Sequence, residues 1–396
     1  MISLKANRFF IYLIITSLAI APAFALGDDN RNLLLIGVMF LSPIIIFAYN
    51  QYQKLDVWIL LTAASLALGP VLLHPESLRW STILYSWMFF LTFMAYNRLL
   101  HANFFSAFHF YKLIRFLIFA YFLVLLVQQF CVLTGLPIFN LSNYNPVEPW
   151  KLNSLSSEPS HSARIMALLM FCYLSMSEIK FKRKYSLSED LWNDKWVWLA
   201  FFWTMITMGS STAFLFIPIV LLKVISKKNI FPLFVLLIVL FVLFDQVGFT
   251  SIDRTVAFFQ ATLTLNPEKI IEADHSASFR VVPFLTLVQF LNFSDLNGVL
   301  GHGVDTVSTF MYKYMPGGGD NVSGGGFFLV WYEYGFLSFI LLLITSLKIS
   351  INRKDYFTYV FWFLLVFLSG INSQIVWLCM VLLFTMSFYK TKFKIV

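Results

Sequence analysis

Charged side chains are scarce in this sequence. Asp, Glu, Lys and Arg make up 12% of the 396 residues, whereas hydrophobic residues make up 59% and the mean hydropathy is +0.77. A soluble globular domain carries about 25% charged residues. The composition therefore excludes an ordinary soluble enzyme, and we predict an all-α, polytopic integral membrane protein.

Cysteines are few, and familiar metal or nucleotide motifs are lacking. Cys131, Cys172 and Cys379 have no CxxC spacing, so they predict neither a disulfide framework nor a zinc site. They lie in or beside apolar segments, where they would pack as small apolar side chains. There is no Walker A, HExxH or GxSxG motif and no convincing metal-ligand spacing. We therefore expect neither a metal nor a cofactor.

Long apolar sequence is what the chain has in abundance. Twelve apolar segments predict about twelve transmembrane helices, although several have about 15 residues and are short for a hydrocarbon core about 30 Å thick. We expect interfacial Trp and Tyr to extend them. The segments are 9–26, 32–49, 57–73, 80–96, 114–134, 164–178, 196–210, 212–225, 230–248, 327–347, 356–371 and 373–389.

The basic residues orient these segments. Of the 28 Lys and Arg, 20 fall in the connections of one side, which predicts that both termini are cytoplasmic. The net charge of +8 is therefore an orientation signal, and we expect no nucleic-acid partner. Lys5, Arg8 and the tripeptide at 23–25 resemble a signal peptide with its cleavage site. We favour an uncleaved first span; cleavage would keep every later loop on the same side.

Two external connections are long. The first is rich in Asn, Ser and Pro, which predicts irregular turns. The second has helical spacing at 251–271 and a short apolar segment at 281–291, which we expect to form an interfacial amphipathic helix with Arg280 at its start. The predicted sections are 1–134 (transmembrane helices one to five), 135–163 (external loop), 164–248 (helices six to nine), 249–326 (large external loop with short helices) and 327–396 (helices ten to twelve and the cytoplasmic tail).

An acid, an imidazole and a guanidinium lie within seven positions at one membrane mouth: Glu158, His161 and Arg164. If a helix begins near Pro159, His161 and Arg164 share a face and Glu158 sits where a negative charge is favoured. One interpretation is a capped helix start with an ion pair between Glu158 and Arg164. The other is a site for a polar substrate, in which Glu158 or His161 accepts a proton.

Arg280 is a candidate for binding an anion in the large external loop. Its guanidinium keeps its charge and can hold a lipid diphosphate through two parallel hydrogen bonds. Alternatively, the side chain snorkels and anchors the following segment to lipid headgroups. The sequence leaves both interpretations open.

Further candidates in the same loop are Gly301, His302 and Gly303, and then Asp320 and Asn321. Asp320 and Asn321 lie inside a run that holds six of the chain's 17 glycines. Each of these residues is either a substrate contact or an ordinary turn residue. The glycine run is either a mobile hinge or a lid whose backbone approaches the substrate closely.

The predicted spans themselves are nearly free of charge. Asp245 and Glu333 are exceptions, and both lie close to the external ends of their segments. A transporter usually needs polar residues deep in the bilayer. Polar chemistry therefore concentrates on the external face. Because cytoplasmic nucleotide donors do not reach that face, we expect any donor there to be carried by lipid.

The order of these motifs resembles the Wzy-type O-antigen and capsule polymerases over residues 150–340. Some members of that family have a glycine at a fixed spacing after an arginine, whereas Leu291 and Ser175 stand at those positions here. The resemblance rests on Ser-Glu-Pro-Ser-His at 157–161, Arg280, Gly301-His302-Gly303, the glycine-rich loop and Glu333-Tyr334-Gly335.

This resemblance implies a glycosyltransferase of the bacterial inner membrane. Such an enzyme joins oligosaccharide repeat units carried on undecaprenyl diphosphate into O-antigen or capsule at the periplasmic face. We expect Glu158 or His161 to be the catalytic base. The resemblance implies that an arginine of the large loop binds the diphosphate leaving group, a role that falls to Arg280, with Arg164 as a second candidate. Beside the lipid-linked oligosaccharide and the bilayer, it suggests a chain-length regulator and a flippase as partners.

Three other functions stay open. An O-antigen ligase would use the same donor with a lipid A-core acceptor; ligase-like relatives have a His-Asn pair late in the large loop, where this chain has Asp320 and Asn321. A flippase for lipid-linked oligosaccharide would suit twelve spans, but not charge-poor spans and long external loops. A non-catalytic membrane scaffold leaves the cluster at Glu158 unexplained.

Overall fold

The computed structural model of the chain describes residues 4–21, 32–49, 51–102, 104–140, 146–225, 250–315 and 324–393. Within these ranges the secondary structure is entirely helical, with no strand, which confirms the predicted all-α class. Four described helices are long and apolar enough to cross a membrane, and they indicate a membrane protein. These helices are Lys54–Leu73, Ala107–Thr134, Pro159–Phe181 and Gln374–Lys392.

The chain forms two compact units. The first comprises Met1–Ile15, Leu35–Phe104 and Ala257–Ser387, and the second comprises Thr16–Leu34, Phe105–Val256 and Phe388–Val396. The helices of the described residues are, in chain order, α1 (Leu4–Ala19), α2 (Leu33–Tyr49), α3 (Lys54–Leu73), α4 (Trp80–His101), α5 (Ala107–Thr134), α6 (Pro159–Phe181), α7 (Leu187–Thr207), α8 (Ser211–Val224), α9 (Thr250–Leu263), α10 (Pro267–Ala273), α11 (His275–Phe290), α12 (Leu296–Leu300), α13 (Thr306–Met311), α14 (Phe327–Tyr334), α15 (Phe336–Ser350), α16 (Tyr356–Trp362) and α17 (Gln374–Lys392).

Several helices are longer than the apolar segments that predict them. α5 has 28 residues and α6 has 23, because each begins at a local start signal before its apolar run. Ser106 caps α5 by accepting a hydrogen bond from the His109 N–H, and Pro159 occupies the first turn of α6. At a rise of about 1.5 Å per residue, α6 is about 34 Å long, enough to cross a core of about 30 Å.

Two of the predicted spans are interrupted. The segment 327–347 forms two helices, α14 and α15, which are separated at Gly335. Gly335 has φ +89°, and a Cβ atom there would lie 2.4 Å from the Val299 carbonyl oxygen, so only glycine fits without strain. The segment 356–371 forms α16, which continues as a π-helical turn at Phe363–Phe367. An isolated glycine in an apolar run therefore marks a close backbone contact here.

The large loop is substantially helical in the described residues. The segment 251–271, predicted as helical, forms two helices, α9 and α10. They are separate because Leu265 has φ +54° and Asn266 caps the start of α10. The predicted segment 281–291 is part of α11, which begins at His275 after Asp274 accepts a hydrogen bond from the Ala277 N–H. The expectation that Arg280 starts this helix is wrong: Arg280 lies inside it, since the capping carboxylate stands six residues earlier.

α6 lies at the centre of the second unit, where it packs against α5, α7 and α8. In its most apolar stretch 94% of the residues are buried, compared with 39% for α5. α6 is therefore surrounded by protein along most of its length. α5 instead turns a face outward, on which Phe116, Leu123 and Val127 are exposed.

α3 holds much of the first unit together by packing against α4, α14 and α15. The Arg98 guanidinium on α4 donates two hydrogen bonds to the Asp56 carboxylate on α3, at 2.7 and 3.3 Å, and both side chains are buried. Buried ions need such two-pronged geometry to offset their lost hydration. Trp377 stacks on Phe89 in the same unit, with 5.4 Å between the ring centroids.

Candidate functional site

The first turn of α6 begins at Pro159, as the sequence predicts. Glu158 stands at the capping position with extended backbone, but among the described residues no helix N–H donates a capping hydrogen bond to its carboxylate. Hydroxyl groups organise the turn instead. Ser156 Oγ donates to the Glu158 carbonyl oxygen at 2.8 Å and lies 2.8 Å from Ser162 Oγ. The Glu158 side chain is therefore directed to other partners.

Those partners meet at a single atom, Glu158 Oε1. His161 Nε2 lies 3.3 Å from it and Arg164 Nη2 lies 3.9 Å from it, and Ser160 Oγ donates a hydrogen bond to the same oxygen. His161 Nδ1 lies 2.8 Å from Ser157 Oγ. The structure thus brings together the three ionisable groups that the sequence singled out.

The three side chains differ in their access to solvent. Glu158 and His161 are each 36% exposed, whereas Arg164 is 8% exposed. Arg164 Nε also donates to the Ser160 carbonyl oxygen at 3.3 Å, which ties the guanidinium to the turn below the carboxylate. The buried Arg164 guanidinium therefore offsets the negative charge of Glu158 from the protein interior. Glu158 and His161 form the solvent-accessible part of the cluster.

Buried amide groups fasten the loop before α6 to α5. Gln128 Nε2 donates to Asn153 Oδ1 at 3.1 Å, and Gln128 Oε1 accepts from the Ser154 N–H at 2.8 Å. Asn153 Nδ2 donates to the Ser156 carbonyl oxygen at 2.7 Å, and Ser154 Oγ donates to the Tyr121 carbonyl oxygen at 2.6 Å. This part of the first long loop is therefore held in one conformation beside the cluster.

Ser157 and Ser160 belong to the motif on which the family resemblance rests, but no pattern in the sequence indicates a role for Gln128 or Asn153. The serines flank Glu158 closely enough for their role to be suspected from their spacing. Gln128 and Asn153 are 25 residues apart, and each is an ordinary polar residue in its own segment. Only the packing of the loop on α5 brings them together.

The candidates Gly301, His302 and Gly303 lie in the first unit, against α14. The His302 ring stacks on Tyr332 with 4.1 Å between centroids and 7° between planes. His302 Nδ1 lies 3.1 Å from the Tyr332 carbonyl oxygen, which only accepts, so Nδ1 carries a proton. Gly301 and Gly303 have φ +97° and +103°, which explains glycine on both sides of the histidine.

A buried carboxylate stabilises the turn that follows Gly303. Glu333 is 4% exposed and accepts a hydrogen bond from the Val307 N–H at 3.1 Å, at the start of α13. Asp305 in the same turn accepts from Thr82 Oγ1 at 2.9 Å and lies 3.4 Å from Arg79. Glu333 therefore has a structural partner, the Val307 N–H, in addition to its place near the end of a predicted span.

The described part of the glycine run is closely packed. A Cβ atom at Gly324 would lie 2.4 Å from the Phe279 carbonyl oxygen, and one at Gly326 would lie 2.2 Å from the Phe367 carbonyl oxygen. These contacts indicate close backbone approach to α11 and to the π-helical turn. Asp320 and Asn321, in the earlier part of the run, lie outside the described residues.

The predicted site residues fall in both units. Glu158, His161 and Arg164 belong to the second unit, whereas Arg280 on α11 and Gly301 to Gly303 belong to the first. No group of three or more potential metal ligands occurs within the described ranges. At the start of α6, Glu158 and His161 are two accessible groups that can transfer a proton, and they lie 3.3 Å apart.

Comparison with known proteins does not assign a family: no protein-family model, curated protein or solved structure matches the chain. The fold and the cluster together define a helical membrane protein with a carboxylate and an imidazole in contact at one end of a bilayer-length helix.

Proposed function

We propose that this protein is a membrane glycosyltransferase that joins oligosaccharide repeat units carried on undecaprenyl diphosphate. The observation that carries the proposal is the contact between Glu158 Oε1 and His161 Nε2 above the buried Arg164. A carboxylate and an imidazole in contact can accept a proton from a sugar hydroxyl and pass it on. Their location at one end of a membrane helix suits a substrate whose anchor stays in the bilayer.

The proposed reaction is a single displacement. The hydroxyl oxygen of the acceptor sugar attacks the anomeric carbon of the donor, and the bond from that carbon to the diphosphate oxygen breaks. The hydroxyl proton passes to the pair of Glu158 and His161, and the diphosphate leaves with the bonding electrons on its undecaprenyl carrier. Positive charge near the departing oxygen would stabilise this transition state.

Arg280 is the proposed binding group for the leaving diphosphate. The 8% exposure of Arg164 and its contact with Glu158 favour a positioning role for that residue instead. Arg280 belongs to the loop that the basic residues assign to the external side. A guanidinium suits this role because it keeps its charge and matches two phosphate oxygens at once.

The proposed topology has about twelve transmembrane helices in the bacterial inner membrane, with both termini cytoplasmic. The loops 135–163 and 249–326 would be periplasmic, and the site would face the periplasm. The bias of Lys and Arg supports this orientation. The length of α6 is compatible with Glu158 and Lys180 lying on opposite sides of the membrane, since they stand at opposite ends of a 23-residue helix.

The surface glycan of a strain that lacks the gene tests the proposed function. A polymerase is required only for extension, so we expect lipid A-core that carries a single repeat unit. Restoring the gene should restore the ladder of long chains. Loss of every repeat unit would contradict the polymerase and would favour a ligase or a flippase. An unchanged ladder would contradict all three.

A further inference from the structure

A basic groove lies on the second unit, where α5 begins and α6 ends. Its volume is about 580 Å³. Three cations line it, Lys112 and Arg115 from α5 and Lys180 from α6. Among the described residues, no acidic residue lines the groove. The groove is thus a concave surface with charge of one sign.

The three cations have no carboxylate partner in the described part of the chain, and all three are exposed. The nearest acid along α6, Glu178, is already 3.4 Å from Lys223 and 3.9 Å from Lys390. Among the described residues, no neighbouring acid therefore offsets the positive charge of the groove. Such a surface attracts an anion from outside the protein.

Aromatic rings form the rest of the groove. Lys112 Nζ lies 4.4 Å from the Phe108 ring centroid, and Lys180 Nζ lies 4.9 Å from that of Tyr111. These contacts hold the cations over apolar surface. Phe108 and Phe116 are 52% and 64% exposed, so apolar surface remains open to a ligand. The groove is therefore suited to a molecule with both an anionic and an apolar part.

The order of the cations and aromatic rings along α5 indicates which class of ligand fits the groove. Phe116 and Phe119 follow Lys112 by four and seven residues, which is about 6 and 10 Å along the helix axis. The apolar surface thus continues from the cations toward the middle of a helix that is long enough to cross a membrane. A lipid that binds with its phosphate at the cations would place its acyl chains along this surface.

We propose that the basic groove binds the headgroup of an anionic glycerophospholipid, with its acyl chains packed along Phe116 and Phe119. The site is distinct from the cluster at Glu158, because Lys180 stands near the opposite end of α6. A diacyl phosphate ester matches both parts of the groove. A soluble anion would use only the cations, and a zwitterionic lipid would bring its own positive charge to them.

The test is a titration of the purified full-length protein with phosphatidylglycerol, read by native mass spectrometry as bound lipid per protein. We expect phosphatidylglycerol to bind in preference to phosphatidylcholine of the same chain length. The double variant Lys112→Gln/Arg115→Gln should bind phosphatidylglycerol about thirtyfold more weakly, the effect expected for removing two cations near a lipid phosphate.

The matched control is Arg353→Gln/Lys354→Gln, which removes the same charge from two exposed residues outside the groove. It should bind phosphatidylglycerol like the wild-type protein. If the Lys112/Arg115 variant does not fold, Lys180→Gln provides the same test with one cation removed. An equal loss of phosphatidylglycerol binding in the two double variants would overturn the proposal. The cations of the groove would then serve only to orient the helices in the membrane. Displacement of the lipid by inorganic phosphate at similar concentration would overturn the proposal in favour of a free anion.

Discussion

The two ends of α6 handle charge in opposite ways. At the first end an acid, an imidazole and a guanidinium meet at one oxygen atom of Glu158, and the guanidinium is buried below it. At the other end Lys180 joins Lys112 and Arg115 in a groove in which the described residues supply no acid. The acid and the cation of the first end balance each other, whereas in the described part of the chain no acid balances the cations of the other end.

This difference indicates different tasks. A cluster that balances its own charge can hold a titratable pair in a fixed geometry and exchange a proton with a neutral hydroxyl group. A surface of one sign instead draws an ion of the opposite sign toward it. The helix between the two is about as long as the hydrocarbon core is thick. We therefore interpret α6 as a membrane helix with the proposed proton-transfer pair at its first end, the chemical end, and the proposed lipid site at its last end.

The largest expected effect comes from the accessible pair at the chemical end. We predict that Glu158→Gln and His161→Ala each abolish long-chain glycan in cells, because either change removes a member of the proton-accepting pair. The measurement is the glycan ladder, with membrane insertion checked by immunoblot. Glu148→Gln is the control, since Glu148 pairs with Lys151 in the same loop and should be dispensable. Normal glycan ladders in both variants would show that the cluster only stabilises the start of α6 and takes no part in the reaction.

A smaller effect is expected at Arg280, in the other unit. We predict that Arg280→Ala lowers turnover about ten- to a hundredfold in a purified assay with a lipid-diphosphate donor, the loss expected for a charge-assisted contact of about 1.5–3 kcal/mol. Arg280→Lys should keep measurable activity, because it retains the charge but not the two-pronged donor. Wild-type turnover by Arg280→Ala would leave this residue as a lipid anchor and would contradict its role in binding the leaving diphosphate.

The smallest effects concern stability and compare the two ends directly. Arg164→Ala should lower the free energy of unfolding by about 1–3 kcal/mol, because it removes a buried cation that contacts Glu158 and the Ser160 carbonyl oxygen. Lys180→Ala should change it by less than about 0.5 kcal/mol, because Lys180 is exposed. Thermal melts in the same membrane mimetic give both values. Equal effects would contradict the distinction between a buried and an exposed cation.

Much of this arrangement follows from local sequence. Apolar runs predict the helices because the length and spacing of apolar residues can be read within each segment. Pro159 marks the start of α6. The spacing of Glu158, His161 and Arg164 predicts their meeting because residues three and four apart share a helical face. The cations of α5 and α6 can also be identified in the sequence. Their approach in one groove cannot be predicted from it, because Lys112 and Lys180 belong to different helices.

The remainder depends on contacts between distant segments. The bond between Gln128 and Asn153 joins a helix to a loop, and neither residue has a local signature for it. The break at Gly335 arises because the Val299 carbonyl approaches too closely for any side chain. Arg280 lies inside α11 because Asp274 provides an earlier cap, whereas the apolar run that suggested the helix starts only at Val281.

The opposite location of the two ends of α6 is most directly tested by membrane topology. Dual reporter fusions at Asn153, before the helix, and at Lys182, after it, report the side on which each end lies. We predict periplasmic activity at Asn153 and cytoplasmic activity at Lys182. A further fusion at Asp320 should report the periplasm, in agreement with the assignment of the large loop. Cytoplasmic activity at Asn153 would contradict the proposed orientation and the lipid-linked donor, because the site would then face soluble nucleotide donors.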